Sequence, residues 1–313
     1  MNHTDSHRYD VIVIGGGAAG LSAALVLGRA RRTVAVIDAG RPRNAPAAHM
    51  QGFLSRDGMP PADLLAVGRQ EVTSYGVEII HDWVVDATPD LALTLAGEYT
   101  LHARRVLVAT GVSDELPDIA GVRERWGKDL LHCPYCHGWE VRDRALGVLG
   151  TIPGSVEHAL LVRQWSDDVV FFEHTYGLTD DERHQLAARG VSVEVGTVTR
   201  LVTADDELSG VEVDGERIVA RAAVFIRPGN VAHRDGLATA LGYDANDAGF
   251  PVVDPTGRTT NPRVWAAGNA VDPRAQVITS AGAGSAAAIA INADLVRADL
   301  DRALRDAREH AAI

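Results

Sequence analysis

The feature that most constrains this chain is a glycine pattern near its start. Gly15-x-Gly17-x-x-Gly20 follows a short apolar run at residues 10–14 and opens a helical stretch from Ala18 to Arg29. Gly15 permits a tight turn, Gly17 lets the backbone approach a pyrophosphate at the helix N-terminus, and Gly20 lets the helix pack closely on the sheet. The pattern therefore predicts a strand, turn and helix that bind a dinucleotide.

A second apolar run, at residues 33–37, ends at Asp38, which lies 18 residues beyond Gly20. A carboxylate at the end of the second strand is placed to accept hydrogen bonds from a ribose hydroxyl. A lone glycine pattern is weak evidence, because it also occurs in turns without a ligand. The flanking strand, helix and terminal acid together favour a nucleotide site.

Composition excludes several classes of function. The 313 residues are 46% hydrophobic and 23% charged, and no run of about 18 apolar residues exists that could span a membrane. A net charge of -12 argues against nucleic acid or an anionic membrane as the partner. Because the N-terminus is polar and has no apolar signal core, a cytoplasmic location is expected.

The chain also contains an internal repeat. The stretches Gly76 to Gly111 and Gly190 to Gly229 share one pattern: a short strand, a hairpin of alternating polar and apolar residues, and an apolar strand that ends in glycine. A second strand–turn–helix–strand unit at 145–172 precedes the later copy. We therefore predict an α/β protein with two Rossmann-like, three-layer ββα nucleotide-binding domains, the second inserted in the first. The predicted boundaries are 1–115 and 248–313 for the first domain and 116–247 for the insertion.

The two cysteines of the chain lie three residues apart, in Cys133-Pro134-Tyr135-Cys136. A secreted disulfide scaffold would carry more cysteines, and a structural zinc site would need two further ligands. His132 and His137 flank the pair but sit too close to it to complete a good tetrahedron, so no metal site is predicted. In a reducing compartment the motif predicts a redox-active dithiol.

These residues together resemble the low-molecular-weight thioredoxin reductase family over nearly the whole chain. The resemblance is carried by the following motifs: residues 15–20, residues 109–111, Cys133-x-x-Cys136, residues 267–269 and residues 275–282. The family implies FAD in the first domain and the cysteine pair of the inserted domain lying over the isoalloxazine ring. It also implies a homodimer.

By position, the resemblance implies that the FAD pyrophosphate meets Gly15, Gly17, Ala18 and Ala19, and the adenosine side Asp38 and Ala39. It implies a cofactor lining of Val84, Ala109, Thr110 and Gly111. Gly268 and Asn269 would face the ribityl chain, and Gln276 and Val277 the pyrimidine edge of the flavin. Arg43 is expected to meet the FAD phosphates, although it could instead solvate a loop.

Two departures from the family pattern stand out. Position 269 is usually Asp, and Asn269 keeps hydrogen-bonding capacity without the charge, so FAD binding is expected to survive. In the second glycine loop, residues 150–155, Ile152 replaces a glycine and its branched side chain would intrude on a pyrophosphate. Glu173 lies where NADPH-using members carry arginines for the 2′-phosphate. The nicotinamide site is therefore predicted to be lost, unless NADPH binds in a shifted way.

FAD and a dithiol without a nicotinamide site resemble the dithiol oxidases that close disulfides in natural products of the holomycin and gliotoxin type. The resemblance implies a small dithiol substrate whose electrons pass to the cysteine pair, then to FAD, then to O2, giving H2O2. An NADPH- or ferredoxin-driven thioredoxin reductase remains the alternative. A non-catalytic flavin-binding protein is a third, which the intact cysteine pair disfavours.

Thiol–disulfide exchange requires a thiolate, so a base near the cysteines matters. Cys133 is predicted to exchange with the substrate sulfur, and Cys136 to lie against the flavin. His137 occupies the position where the reductases place an acid, and a neutral imidazole accepts a thiol proton more readily than a carboxylate. His132 is the second candidate base, and either histidine could be an ordinary surface residue.

Overall fold

The computed structural model describes residues 8–233 and 236–311. Most of the polar N-terminal segment on which the cytoplasmic expectation rests, residues 1–7, lies outside the described residues. Contact clustering divides the chain into two compact units. The first unit comprises the described residues up to Arg43, Ala62–Ser113 and the described residues from Val231 onward. The second unit comprises Asn44–Pro61 and Asp114–Asn230.

The chain up to Glu115 contains β1 (Arg8–Ile14), α1 (Ala18–Arg29), β2 (Val34–Ile37), α2 (Pro61–Ser74), β3 (Glu78–Ile80), β4 (Val84–Ala87), β5 (Ala92–Leu95), β6 (Thr100–Val108) and β7 (Val112–Glu115). The middle contains α3 (Val122–Arg125), β8 (Leu130–Leu131), α4 (Pro134–His137), β9 (Leu146–Leu149), α5 (Ser155–Val162), β10 (Val169–Phe172), α6 (Asp180–Ala188), β11 (Ser192–Glu194), β12 (Val198–Ala204), β13 (Glu207–Val213), β14 (Arg217–Ala220), β15 (Ala223–Ile226) and β16 (Gly229–Ala232). The remainder contains α7 (Leu237–Leu241), β17 (Val264–Ala266), a 3₁₀ helix (Gly268–Ala270) and α8 (Val277–Ala311).

The first unit is built on a parallel sheet in the order β3-β2-β1-β6-β17. Strand β5 pairs antiparallel with β6, and β4 pairs antiparallel with β5. Val11 and Val13 of β1 join one core cluster, with α1 and α8, while Ile12 and Ile14 join a second cluster on the other face. Covering both faces explains why β1 is apolar at nearly every position instead of alternating.

The second unit repeats this arrangement around a parallel sheet in the order β11-β10-β9-β15-β8. Phe171 of β10 faces a core shared with α5 and α6, and the next residue, Phe172, faces a core shared with the antiparallel β12–β13–β14 layer. The predicted α/β class with two Rossmann-like units is confirmed by these sheets. The units differ from the sequence division at 44–61, 114–115 and 231–247, and the predicted domain boundaries stay a prediction.

Within the described residues, no helix is both long and apolar enough to cross a membrane. The longest helix, α8, instead packs the small residues at its start against α1. A Cβ atom at Gly284 would lie 2.0 Å from the Ala19 backbone oxygen, far inside van der Waals contact. Helix α8 can therefore approach α1 only because residue 284 has no side chain.

Replacing Gly284 by Ala should destabilise the first unit by about 1–3 kcal/mol, because the added methyl group would overlap the α1 backbone. Gly282 lies two residues earlier in the same helix, and a Cβ there would meet nothing within 4 Å. Gly282→Ala is therefore the matched control and should stabilise the protein by up to about 1 kcal/mol. Thermal unfolding followed by circular dichroism measures both changes. Equal shifts for the two variants would contradict the packing described.

Candidate functional site

The turn between β1 and α1 is as tight as its glycines predict. Gly15 has φ 109°, a left-handed conformation that favours glycine, and a Cβ there would lie 2.3 Å from the Ala109 carbonyl oxygen. A Cβ at Gly20 would lie 1.9 Å from the Gly15 carbonyl oxygen. The ends of β1 and β6 and the first turn of α1 therefore meet at backbone contact distance.

The start of α1 fits the pyrophosphate of a dinucleotide. Gly17 is the N-cap, no side chain caps the helix, and its first turn carries no acidic residue. A Cβ at Gly17 would meet nothing within 4 Å, so open space adjoins the N-terminal amides. Ala18 and Ala19 add only methyl groups to this turn. Uncapped amides at the positive end of a 12-residue helix are suited to phosphate oxygens.

Asp38 lies at the end of β2, where the sequence predicts a ribose ligand. Its carboxylate is within 2.6 Å of where a Gly16 Cβ would be, and it accepts a hydrogen bond from the Gly40 amide at 3.2 Å. Arg69 of α2 donates to its other oxygen at 2.9 Å. Sequence reasoning missed Arg69, because nothing in a helical charge pattern distinguishes an arginine aimed at Asp38. Ala39 follows and is exposed.

The 3₁₀ helix before α8 contacts the start of α1. A Cβ at Gly268 would lie 2.8 Å from the Ala19 Cβ, so this glycine also permits a close approach. The Asn269 side-chain nitrogen donates to the backbone oxygens of Asp272 and Ala275, both at 2.9 Å. An aspartate could not donate to these carbonyls. Asn269 thus braces the loop that leads through Gln276 to the first residue of α8, Val277.

The remaining predicted cofactor residues are more scattered. Thr110 and Gly111 follow β6, beside Ala109 and the β1–α1 turn. Arg43 donates to the Pro273 backbone oxygen at 2.6 Å. Val84 lies in β4, paired with Leu95 of β5, and packs on the core of the sheet face opposite α1. The structure thus brings most of the predicted residues to the β1–α1 turn, whereas Val84 sits in the outer layer.

Cys133 and Cys136 form a disulfide in the second unit, with their Cα atoms 5.2 Å apart. Cys133 is the N-cap of α4, and its backbone oxygen accepts from the amides of Cys136 and His137, both at 3.1 Å. Both cysteines are partly exposed. The short helix therefore places the two sulfurs side by side near the surface, as an exchangeable disulfide requires.

Aromatic packing holds α4 in place. A Cβ at Gly138 would lie 2.8 Å from the Trp165 ring, so the end of α4 lies directly on that indole. The Tyr135 ring also meets Trp165 edge-on, with the ring centroids 5.5 Å apart. The segment that carries the disulfide is thus packed against Trp165, three residues after the end of α5.

His137 closes α4 and is half-buried. Burial lowers its pKa below the ordinary 6.5, and the nearby Glu140 carboxylate opposes only part of that shift. A neutral imidazole at neutral pH is the form that accepts a proton. His132, the residue before Cys133, is also half-buried. The structure therefore puts a histidine on each side of the disulfide.

The second glycine loop, between β9 and α5, is closed by its own side chains. The fully buried Ser155 hydroxyl donates to the Ile152 backbone oxygen at 2.7 Å and lies 3.4 Å from the amides of Thr151 and Ile152. Amides that face phosphate oxygens in an open loop are turned toward a serine here. Glu157 adds negative charge to the first turn of α5.

The end of β10 is also occupied by internal contacts. Glu173 accepts two hydrogen bonds from Arg183, at 2.7 and 2.9 Å, and one from the Leu178 amide at 2.9 Å. These contacts lower the pKa of Glu173, the Arg183 hydrogen bond most, so the carboxylate stays charged. An anion at the position of a nucleotide 2′-phosphate would repel it.

In residues 8–233 and 236–311, no cluster of three or more His, Cys, Asp or Glu side chains could hold a metal ion.

Comparison with known proteins agrees with this geometry. The family model for pyridine nucleotide-disulphide oxidoreductases matches residues 9–287. The crystal structure of HlmI is 57% identical, with a TM-score of 0.93 over 99% of each chain. Thioredoxin reductase sirT of Leptosphaeria maculans is 30% identical over 93% of this chain and 96% of its own length. A probable thioredoxin reductase of Arthroderma benhamiae is 36% identical over 176 residues, 53% of this chain but only 44% of that relative.

A dinucleotide fold together with an exchangeable disulfide defines a flavin-dependent disulfide oxidoreductase of the thioredoxin reductase-like type. The chain belongs to the pyridine nucleotide-disulphide oxidoreductase family. This confirms the family resemblance and the enzyme class predicted from the sequence. The individual cofactor and catalytic residues stay predictions.

Gly17→Val should remove the flavin while leaving the fold intact, because the new side chain would occupy only the open space beside the α1 amides. We expect flavin content, measured from absorbance near 450 nm against protein, to fall about tenfold, equivalent to about 1.4 kcal/mol of binding free energy. Gly20→Val is the contrast, since its Cβ would strike the Gly15 carbonyl and should destabilise the protein itself. Full flavin content in Gly17→Val would contradict this site.

Proposed function

We propose that this chain is an FAD-dependent dithiol oxidase that closes a disulfide in a small natural-product substrate with O2 as the electron acceptor. The overall change converts a dithiol and O2 into a disulfide and H2O2, so two electrons and two protons leave the substrate. The observation that carries the proposal is the closed glycine loop at residues 150–155 beside an intact cysteine pair. The chain keeps the groups for thiol exchange but has filled its second nucleotide loop.

FAD is the proposed flavin because the first unit offers groups for both halves of a dinucleotide. The uncapped start of α1 suits a pyrophosphate, and the Asp38 carboxylate suits the adenosine ribose. FMN has neither of these parts. Bound FAD would accept two electrons from the reduced cysteine pair and deliver them to O2.

The residues of the second unit would act in a fixed order. A substrate thiolate attacks the Cys133 sulfur, forming a mixed disulfide and releasing Cys136 as a thiolate. The second substrate thiolate then attacks the substrate sulfur of that mixed disulfide, which frees Cys133 and the cyclised product. His137, kept neutral by burial, or His132 takes the thiol protons.

Thioredoxin reduction is the second candidate, because the curated relatives reported above carry thioredoxin reductase names. In that direction a donor would reduce the flavin, and the cysteine pair would reduce a protein disulfide.

A homodimer is proposed for either activity. It is supported by Val296, Leu300 and Leu304, which form an exposed apolar stripe at four-residue spacing along α8.

Aerobic turnover distinguishes the two directions. With a small dithiol, the purified yellow protein should consume O2 and produce H2O2 and disulfide in equal amounts. Cys136→Ser should abolish this turnover, because Cys133 alone cannot form the enzyme disulfide that the substrate thiolate attacks. With NADPH in place of the dithiol, O2 consumption should stay at the background rate. Rapid NADPH-dependent reduction of thioredoxin would instead favour the reductase.

His137→Ala should lower dithiol oxidation at pH 7 roughly 10²-fold, the usual contribution of a general base, with flavin content unchanged. A base is active when neutral, so activity is present above its pKa and lost as the pH falls through it. Because the pKa of His137 is lowered, the parent should keep its activity at pH 6.5 and lose it at more acidic pH. The exposed His184 of α6 supplies the control variant His184→Ala. Unchanged turnover in His137→Ala would remove this residue from the mechanism.

A further inference from the structure

A third histidine of the second unit is buried against His132, the residue that precedes Cys133. His158 of α5 is only 8% exposed, and neither of its ring nitrogens makes a hydrogen bond of good geometry with a described residue, although the His132 backbone lies close enough to act on it. A buried polar atom without a well-placed partner is costly, so such groups are rare in folded proteins and need a physical reason. The core around α5 could have used an apolar side chain at this position.

The neighbours of His158 connect it to the cysteine pair. Its ring meets the His132 ring edge-on, with centroids 6.2 Å apart and planes at 70°, and it contacts Phe225 of β15 on another side. His132 joins β8 directly to Cys133. The ring also lies near the His132 backbone carbonyl, whose partial negative charge acts on its protonation. His158 therefore faces both polar groups of the residue that precedes Cys133.

The hydrogen-bonding groups of the two histidines are complementary. A neutral imidazole has one N–H donor and one acceptor nitrogen. His132 offers the reverse pair, a backbone carbonyl that accepts and a ring N–H that donates. A small movement of either ring, or one bridging water, would complete both hydrogen bonds. The hydrogen bond made by one nitrogen of a histidine determines which nitrogen keeps its lone pair.

This arrangement requires His158 to stay neutral, since an imidazolium has no acceptor nitrogen. The pKa of His158 is lowered to about 4, by burial first and then by the charges of His132 and Arg227, against the opposing effect of the His132 carbonyl. His132, Arg227 and the His132 carbonyl are the charged or polar groups that act on this ring. His158 is therefore neutral at any pH where thiol exchange is fast.

We propose that His158 is a positioning residue that accepts the ring N–H of His132 and so turns the basic nitrogen of His132 toward the thiol at Cys133. The proposal rests on the oxidase function above and deepens it, because it assigns His132 as the base on the Cys133 side. The step concerned follows release of the product: the Cys133 thiol of the reduced pair gives its proton to the lone pair of His132 and becomes a thiolate, with no change in oxidation state.

The test measures thiolate formation directly. In a Cys136→Ser background Cys133 is the one cysteine of the chain, and its alkylation by iodoacetamide is followed from pH 5 to 9. His158→Leu should slow alkylation at pH 7 about tenfold and move the pH profile to higher pH, by analogy with the loss of other residues that orient a histidine. His158→Gln, whose amide also donates and accepts, should retain most of the rate. The exposed His184→Leu is the matched control and should leave the profile unchanged.

An unchanged pH profile in His158→Leu, or a Gln variant as slow as the Leu variant, would overturn the proposal. If His158→Leu does not fold, the unsubstituted protein decides the question through ¹⁵N NMR of its histidine rings. A single neutral tautomer of His132 across pH 6–8 supports the assignment, and a mixture of tautomers contradicts it. Alkylation uses neither O2 nor a dithiol substrate, so failure of the oxidase function would appear in turnover and not in this profile.

Discussion

The first unit depends on backbone contacts that leave no room for a side chain. The β1–α1 turn touches β6 through Gly15 and itself through Gly20, and α8 touches α1 through Gly284. Each contact brings a strand end or a helix start to the same edge of the parallel sheet, where open α/β sheets bind their ligands. The absence of side chains is also what exposes the amides of α1 to a phosphate. The need for glycine at these contacts thus determines both the packing of the first unit and the open amides proposed to bind the cofactor.

The second unit has the same arrangement of sheet and helices, but its β9–α5 loop is closed where the β1–α1 turn of the first unit is open. Where the first unit leaves an open, uncapped helix start, the second fills the loop with the buried Ser155 hydroxyl and engages Glu173 with Arg183. The same unit carries the disulfide on α4, anchored to Trp165. Loss of an open nucleotide loop together with retention of the cysteine pair is the reason to assign electron entry to a dithiol.

Sequence patterns predicted the fold well because apolar runs, glycine spacing and the Cys-x-x-Cys motif are local. Helix α1 was predicted with the observed bounds, Ala18–Arg29. Contacts between distant segments could not be predicted. Arg69 meets Asp38 across 31 residues, and His158 meets His132 from a different element. A single buried histidine does not alter the apolar periodicity of a helix. A serine in a glycine loop predicts a turn, and does not reveal that the Ser155 hydroxyl meets the backbone amides of that loop.

In the proposed oxidase, electrons enter from a dithiol through Cys133 and Cys136 and not from a nicotinamide. An anaerobic titration of the purified flavoprotein, followed by the flavin absorbance near 450 nm, tests it most directly. We expect stoichiometric bleaching by a small dithiol, no bleaching by excess NADPH or NADH, and no dithiol bleaching when Cys133 and Cys136 are both replaced by Ser. Rapid bleaching by one equivalent of NADPH would contradict it.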